Sequence, residues 1–160
     1  IERRRALARR YETALAPLAP LVRLAERPAW SNPALHLLAV LIDFEAAGLS
    51  RAEVMAGLKA RGVGSQVHYI PVHRQPYYAA RYGVADLPGA DAWYARCLSL
   101  PLFPAMADSD VDRVAAALMD TLPSAEGRVA AKQPGGGLPP PHERGRQTPT
   151  ADPSPQGGGA

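Results

Sequence analysis

Apolar residues near the start of the chain recur at a helical spacing. Positions three or four apart form one stripe and arginines occupy the other faces, so the pattern predicts an amphipathic helix. The stripe consists of Leu7, Tyr11, Leu15 and Leu18. Pro17 and Pro20 are expected to end this helix, because proline lacks the amide hydrogen that a helix interior uses.

A second helix is predicted from its first turn. Residues 50–53 read Ser-Arg-Ala-Glu, in which Ser50 and Glu53 can each accept a hydrogen bond from the other's backbone amide. The residues that this helix turns inward are Val54, Met55 and Leu58. Gly62 is placed to end it in the left-handed conformation.

A further long helix is predicted near the end of the patterned region. Asp108 or Ser109 can cap it. Its apolar stripe is Val111, Val114, Leu118 and Leu122. Residues 76–82 and 90–96 are predicted as short helices. Their aromatic residues, which we expect to pack against a sheet, are Tyr77, Tyr78, Trp93 and Tyr94.

Strands are predicted where apolar residues run on without a helical period. Residues 35–43 are nearly all apolar, which is typical of a central strand. Residues 65–70 and 97–100 are predicted as two more strands, and residues 21–24 as a short extended piece. Because strands and helices mix without regular alternation, the sequence favours an α+β fold.

The composition divides the chain at Pro123. The 38 residues from there to the end include 8 prolines and 8 glycines and no aromatic residue. Such a segment cannot bury enough apolar surface to offset its conformational entropy. We therefore expect one folded domain over residues 1–122 and a disordered tail over residues 123–160.

The charge of the chain is concentrated at its start. Five of its 18 basic residues are arginines among the first ten residues, whereas residues 11–122 carry 9 basic and 11 acidic residues, a net charge of −2. A basic helix end on a mildly acidic body is more typical of a solvated face or an interdomain contact than of a nucleic-acid groove. We therefore expect no nucleic-acid partner.

Three further features concern location and completeness. No apolar run approaches the roughly 20 residues of a membrane-spanning helix, so no membrane partner is expected. The single cysteine, Cys97, excludes an internal disulfide and fits the reducing cytoplasm. Because the chain begins without methionine and inside a helical pattern, we interpret it as the later part of a longer protein.

The densest group of candidate ligand-binding side chains lies in residues 67–78. This block reads Val-His-Tyr-Ile-Pro-Val-His-Arg-Gln-Pro-Tyr-Tyr, a composition poorly suited to a core and well suited to a pocket wall. His68 and His73 lie five residues apart without a nearby carboxylate or cysteine, which does not match a ligand pattern, so no metal site is expected.

Several short segments occur in an order typical of a known family. They are Arg10-Tyr11, His36-Leu37, Leu49-Ser50-Arg51, Gly62-Val63-Gly64, the His-Tyr-Ile-Pro-Val-His block, Leu87-Pro88 and Leu98-Ser99-Leu100-Pro101. Over residues 1 to about 120, this set resembles the DegT/DnrJ/EryC1/StrS sugar aminotransferases, pyridoxal-phosphate enzymes of fold type I. The likeness is greatest to the branch that makes UDP-4-amino-4,6-dideoxy-N-acetyl-altrosamine for pseudaminic acid.

Two positions depart from the pattern of that family. Arg74 stands where a leucine is common, and Asp91 stands where a glutamate is common. The aspartate keeps the negative charge at a helix start. Arg74 lies beside the presumed pocket, so the departure bears on the details of the substrate.

The resemblance implies a fold and a set of site residues. It implies the small C-terminal domain of a fold type I enzyme, a small antiparallel sheet flanked by helices. By resemblance, His68 and Tyr69 line a sugar-nucleotide pocket, and His73 is a further substrate-binding candidate. A strand end with an imidazole and a phenol offers hydrogen bonds to sugar hydroxyls or a diphosphate.

The resemblance also implies that the reactive groups lie outside this chain. Transamination requires a lysine for the cofactor, and the two lysines present, Lys59 late in a helix and Lys132 in the predicted tail, have no suitable context. We therefore expect no catalytic and no cofactor-binding residues here, and no activity of this chain alone.

For the whole protein, the resemblance implies a cytoplasmic, homodimeric enzyme. It would use pyridoxal phosphate to transfer an amino group from an amino acid, expected to be glutamate, to a 4-keto UDP-sugar. Two alternatives stay open: a non-catalytic domain for sugar-nucleotide binding or dimerisation, and nucleic-acid binding through the arginines.

Overall fold

The computed structural model describes residues 1–123, so the predicted tail lies outside the described residues except for Pro123. In chain order the elements are α1 Glu2–Leu15, β1 Val22–Leu24, β2 Leu38–Ile42, α2 Phe44–Ala47, α3 Arg51–Ala60, α4 Pro76–Tyr82, α5 Pro88–Arg96, β3 Cys97–Leu100 and α6 Asp108–Thr121. Single turns of 3-10 helix lie at Ala16–Leu18 and Val72–Arg74. None of these helices is long and apolar enough to cross a membrane.

The three strands form an antiparallel sheet in the order β1-β2-β3. The central position of β2 confirms the prediction from its apolar run. Along β2, Leu38, Val40 and Ile42 are buried, and Ala39 and Leu41 between them are half-buried. The expected α+β class with a small antiparallel sheet is therefore confirmed.

One hydrophobic core joins the sheet to α1, α3 and α6. The predicted stripes supply most of it, and the residues of those stripes that are buried are Leu7, Tyr11, Leu15, Val54, Leu58, Val111, Val114, Leu118 and Leu122. Leu18 and Met55 are half-buried against it. Burial of each large apolar side chain stabilises the fold by about 1.5–3 kcal/mol, so these three helices fix the sheet.

The predicted ends of α3 are confirmed. The Glu53 amide donates to Ser50 Oγ at 3.2 Å, and the Ser50 amide donates to Glu53 Oε2 at 2.7 Å. Gly62 follows the helix with φ +72°, a conformation that L residues rarely adopt.

The prediction of the α6 cap is wrong. The cap position is Ala107, and the carboxylate of Asp110 accepts from the Ala107 amide at 2.9 Å. Asp108 lies inside the first turn, where its carboxylate instead pairs with Arg3 at 2.8 Å. The short helix α2, capped by Asp43, is not predicted by the sequence pattern.

The prediction of a strand over residues 65–70 is also wrong. Only Gln66 bridges to the sheet, where it exchanges two backbone hydrogen bonds with Ser99 of β3. The next hydrogen-bonded pairs of an antiparallel ladder would place residue 64 opposite Pro101 and residue 68 opposite Cys97. Pro101 has no amide hydrogen, and the Cys97 amide donates to the carbonyl of Trp93, so the ladder stops after one pair.

Candidate functional site

Residues 67–78, which we call the His-Tyr block, follow the free edge of β3. Residues 64–75 follow α3, meet the sheet at Gln66 and then leave it. The backbone hydrogen bonds between Gln66 and Ser99 are 2.8 and 3.1 Å long. The next residues of the block therefore emerge at one fixed point of the sheet.

His68 and Tyr69 are adjacent in space as well as in sequence. The Nδ1 atom of His68 lies 2.9 Å from Oγ of Ser99, which is itself buried in β3. The imidazole meets the Tyr69 ring edge to face, with centroids 4.8 Å apart. Because Ser99 occupies one ring nitrogen and Tyr69 is 71% exposed, the second imidazole nitrogen and the phenol are the groups that a ligand could reach.

His73 lies in a different environment. Its side chain is 8% exposed, and Nε2 lies 3.0 Å from Oδ1 of Asp91 on α5. Arg74 donates through Nε to the same oxygen at 2.6 Å. In the described part of the chain, no hydrogen bond or ring contact joins His73 to His68 or Tyr69. The three predicted site residues thus form one pair and one separate histidine, which contacts Asp91.

The hydrogen bond from Arg74 is the main cause that lowers the pKa of Asp91, and His73 adds to it. The carboxylate is therefore ionised at neutral pH. The sequence singles out Arg74 and Asp91 but does not predict their contact, because this contact depends on how α5 packs.

Residues 64–96 form a surface without a core of its own. No residue in this stretch is buried, although it holds two helices. Its exposed large apolar residues are Tyr69, Ile70, Val72, Tyr77, Tyr78, Tyr82, Val84, Leu87 and Trp93. The expectation that Tyr77, Tyr78 and Trp93 pack against the sheet is therefore wrong. An exposed apolar surface of this size is typical of an interaction site.

Polar contacts attach α5 to the rest of the fold. The guanidinium of Arg51 stacks on the Tyr94 ring at 4.7 Å and on the Phe44 ring at 5.7 Å, and it donates to the Tyr94 carbonyl. Arg96 pairs with Asp43 at 3.3 Å. These contacts join α5 to the starts of α2 and α3, so α5 has a fixed position although it buries no residue.

Three arginines of α1, which are Arg3, Arg9 and Arg10, line a separate groove. This groove of about 480 Å³ lies between α1 and α6. Arg10 pairs with Asp112 at 2.5 Å, and Arg3 donates to the Met106 carbonyl at 2.6 Å. Arg3 and Arg10 therefore bind groups of the chain itself at this groove.

The described residues do not fit a pyridoxal-phosphate site. Lys59 is exposed on α3, so no pocket surrounds its amine, and Lys132 lies outside the described residues. Burial raises the pKa of the Cys97 thiol, which makes it a poor nucleophile. Within residues 1–123, no three His, Cys, Asp or Glu side chains are grouped to hold a metal ion.

Comparison with known proteins gives concordant matches. The sequence profile of the DegT/DnrJ/EryC1/StrS aminotransferase family matches residues 1–119. The spore coat polysaccharide biosynthesis protein SpsC of Bacillus subtilis is 40% identical over 132 residues, which cover 78% of this chain and 33% of SpsC. The chain therefore spans about one third of the length of this relative.

Solved structures agree in fold. The structure of DesI in the presence of its TDP-sugar product is similar with a TM-score of 0.66 and 31% identity, over 81% of this chain and 32% of DesI. Helicobacter pylori PseC, an aminotransferase involved in the biosynthesis of pseudoaminic acid, has a TM-score of 0.67 and 22% identity, over 75% of this chain and 32% of PseC. At that identity, the likeness to PseC is one of fold.

Proposed function

This chain belongs to the DegT/DnrJ/EryC1/StrS aminotransferase family, and on that premise we propose that it is the small C-terminal domain of a nucleotide-sugar aminotransferase. In this proposal the chain supplies one wall of the active site, and the remaining polypeptide supplies the groups that react. The whole enzyme transfers an amino group from an amino acid, expected to be glutamate, to a 4-keto nucleotide sugar. A homodimer and a cytoplasmic location belong to the same proposal.

The observation that carries this proposal is the uncovered surface of residues 64–96. A stretch with two helices and nine exposed large apolar residues needs another polypeptide to cover it. SpsC and DesI are each about three times as long as the part that this chain matches, so such a polypeptide exists in the relatives.

The half-buried His68 and the exposed Tyr69 are our proposed contacts with the sugar nucleotide. Ser99 fixes the imidazole through Nδ1, so that Nε2 donates or accepts according to the tautomer. The phenol of Tyr69 can do both. The structure of DesI was determined in the presence of its TDP-sugar product, which supports a nucleotide sugar as the ligand class. His73, whose Nε2 lies 3.0 Å from Oδ1 of Asp91, is our third residue of this site.

Pyridoxal phosphate is the cofactor that we propose for the whole enzyme. When bound, it stabilises the carbanion that forms during amino transfer. The described residues offer no enclosed lysine for it, so we place its site in the remaining polypeptide and expect the chain alone to be inactive.

A narrower proposal concerns the product. The segments of the His-Tyr block favour a sugar amine of the pseudaminic-acid route, made from a UDP-sugar. The name of SpsC points more generally to a surface polysaccharide. Assay of the purified enzyme with UDP- and TDP-linked 4-keto sugars distinguishes these products.

The main test is the His68→Ala variant of the complete protein, with His36→Ala as the control because His36 is an exposed histidine that lies far along the chain from this block. Turnover of the nucleotide sugar and the absorbance of the bound cofactor are measured together. We expect His68→Ala to lower turnover about tenfold or more and leave the cofactor absorbance in place, because one hydrogen bond to the substrate is lost.

Two results would contradict the proposal. Unchanged turnover would show that His68 does not touch the substrate. Loss of the bound cofactor would place His68 at the cofactor instead. If the complete wild-type protein binds UDP-sugar without any amino transfer, the non-catalytic binding domain becomes the better description.

A further inference from the structure

The contacts of Asp91 are unusual within the surface of residues 64–96. Its Oδ1 atom lies 3.0 Å from His73 Nε2 and 2.6 Å from Arg74 Nε. One carboxylate oxygen thus receives two hydrogen bonds from consecutive residues of another element. The acceptor lies in the first turn of α5, where the partial positive charge of a helix start favours an anion.

These two hydrogen bonds matter because apolar burial does not hold this part of the chain. No apolar residue of 64–96 is buried, and the His73 side chain, which is 8% exposed, contacts Asp91, so apolar packing alone does not fix the Val72–Arg74 turn. The turn continues directly into α4, and α4 buries nothing either. The carboxylate of Asp91 is therefore a principal tie between this turn and a helix of fixed position.

The position of α5 is itself set by contacts with the starts of α2 and α3. Arg51 stacks on Tyr94 and donates to its carbonyl, and Arg96 pairs with Asp43. A continuous series of contacts thus runs from the starts of α2 and α3, through α5 and Asp91, to His73. At its other end the block is tied to the sheet by Ser99, which holds His68.

The block is consequently fixed at two points, with Tyr69 to Val72 spanning them. Those four residues include three of the exposed apolar side chains, so their direction follows from the two anchors. Removal of the contact with Asp91 frees the segment without opening the apolar core of the domain. Such a change affects ligand contacts more than it affects folding.

The structure also brings Arg74 into contact with Asp91, although the two residues lie on different elements. An aspartate reaches one methylene less far than a glutamate, and the guanidinium supplies a second, charge-assisted hydrogen bond to it. Arg74 and Asp91 therefore form one coupled pair.

We propose that Asp91 is a positioning residue for the sugar-nucleotide site, which orients His73 and Arg74 and so fixes the segment that presents His68 and Tyr69. The proposal rests on the function proposed above, because it assumes that this segment faces the nucleotide sugar. Asp91 itself acts through its two partners and does not touch the substrate.

The test uses the complete protein with three variants. Asp91→Asn removes the charge at constant size, Asp91→Glu keeps it, and Asp86→Asn is the control. Asp86 is an exposed carboxylate five residues earlier, with no ion pair among the described residues. Binding of UDP-N-acetylglucosamine and of TDP-glucose is measured by calorimetry, and KM for glutamate and the melting temperature are measured beside it.

We expect Asp91→Asn to weaken binding of the nucleotide sugar that wild type prefers by about tenfold, because a charge-assisted pair of hydrogen bonds is lost. KM for glutamate and the melting temperature stay near wild type, and Asp91→Glu recovers most of the binding. Asp86→Asn leaves every value unchanged.

If Asp91→Asn weakens nucleotide-sugar binding and raises KM for glutamate to the same extent, and also lowers the melting temperature, the role of Asp91 is merely structural and the proposal is overturned. Unchanged binding in Asp91→Asn would overturn it as well. If Asp91→Asn does not fold, Arg74→Leu must weaken nucleotide-sugar binding alone, and no effect there counts against the proposal. Wild-type protein that binds neither nucleotide sugar would overturn the proposed function, and this inference with it.

Discussion

Gly57 is the position at which the packing of α3 against α6 can be tested most directly. A Cβ atom added there would lie 2.5 Å from Cγ2 and 3.0 Å from Oγ1 of Thr121, near the end of α6. Carbon atoms in contact prefer about 3.5–4.0 Å, so the two helices would have to separate by roughly 1 Å or Thr121 would have to rotate. Rotation is resisted because Thr121 Oγ1 donates to the Ala117 carbonyl at 2.7 Å.

Two opposing effects set the result of Gly57→Ala. An alanine inside a helix is favoured over glycine by about 0.8–1 kcal/mol. Overpacking of this kind costs about 1–3 kcal/mol. The balance is a net loss of about 0–2 kcal/mol in the free energy of unfolding, where an isolated helix would show a gain.

The assay is urea denaturation of the 160-residue chain, followed by circular dichroism. Thr121→Ala removes both of the closest atoms, and the remaining Cβ of residue 121 lies 3.3 Å away. In that background Gly57→Ala should be neutral or stabilising, so the double-mutant cycle should give a coupling of about 1–3 kcal/mol.

Gly89→Ala is the matched control, because Gly89 lies in α5 and a Cβ atom added there would have no other atom within 4 Å. It should stabilise the chain by up to about 0.5–1 kcal/mol. If Gly57→Ala stabilises the wild-type chain as much as the control does, α3 and α6 do not approach each other as described.

Two other predictions concern single polar contacts. Tyr11→Phe should lower the free energy of unfolding by about 0.5–1.5 kcal/mol in the same urea assay, because the buried phenol donates to the Pro101 carbonyl at 2.9 Å; a neutral result would contradict this bond. Arg10 lowers the pKa of Asp112, so the stability from this pair is complete above the ordinary carboxyl pKa of about 4 and is lost as the pH falls through the lowered value. The melting temperature should therefore decrease as the pH is lowered below about 4, and the decrease should be smaller in Arg10→Met. Identical pH profiles of the melting temperature in the two proteins would show that this ion pair does not contribute to stability.

The parts of the fold that the sequence predicts well are those whose burial is decided within this chain. The stripe of α6 and the capping box of α3 depend on spacings of three and four residues, and both are confirmed. The central strand β2 is confirmed for a similar reason, since its long apolar run needs cover on both sides. Local patterns of this kind require no knowledge of distant partners.

The strand expected over residues 65–70 fails because pairing depends on the partner as well as on the segment. Val67 to Ile70 have the composition of a strand, but their neighbour β3 offers only Ser99 for pairing. The amide of Cys97 is already used by α5, and Pro101 has none. The segment whose composition predicted a strand is therefore the place where the chain leaves the sheet, with His68 half-buried and Tyr69 exposed.

The prediction that the aromatic residues of α4 and α5 pack against the sheet is wrong for a different reason. Their apolar pattern predicts burial, yet Tyr77, Tyr78 and Trp93 remain exposed in this chain. Apolar residues in a sequence can be buried by another domain or subunit as well as by their own domain. Apolar patches that stay exposed on a single domain are therefore typical of interfaces. The exposure of these side chains therefore agrees with our proposal that the remaining two thirds of an aminotransferase cover them. If they do, Tyr77→Glu should weaken the association of this domain with the remaining polypeptide and leave the core of α1, α3 and α6 unchanged.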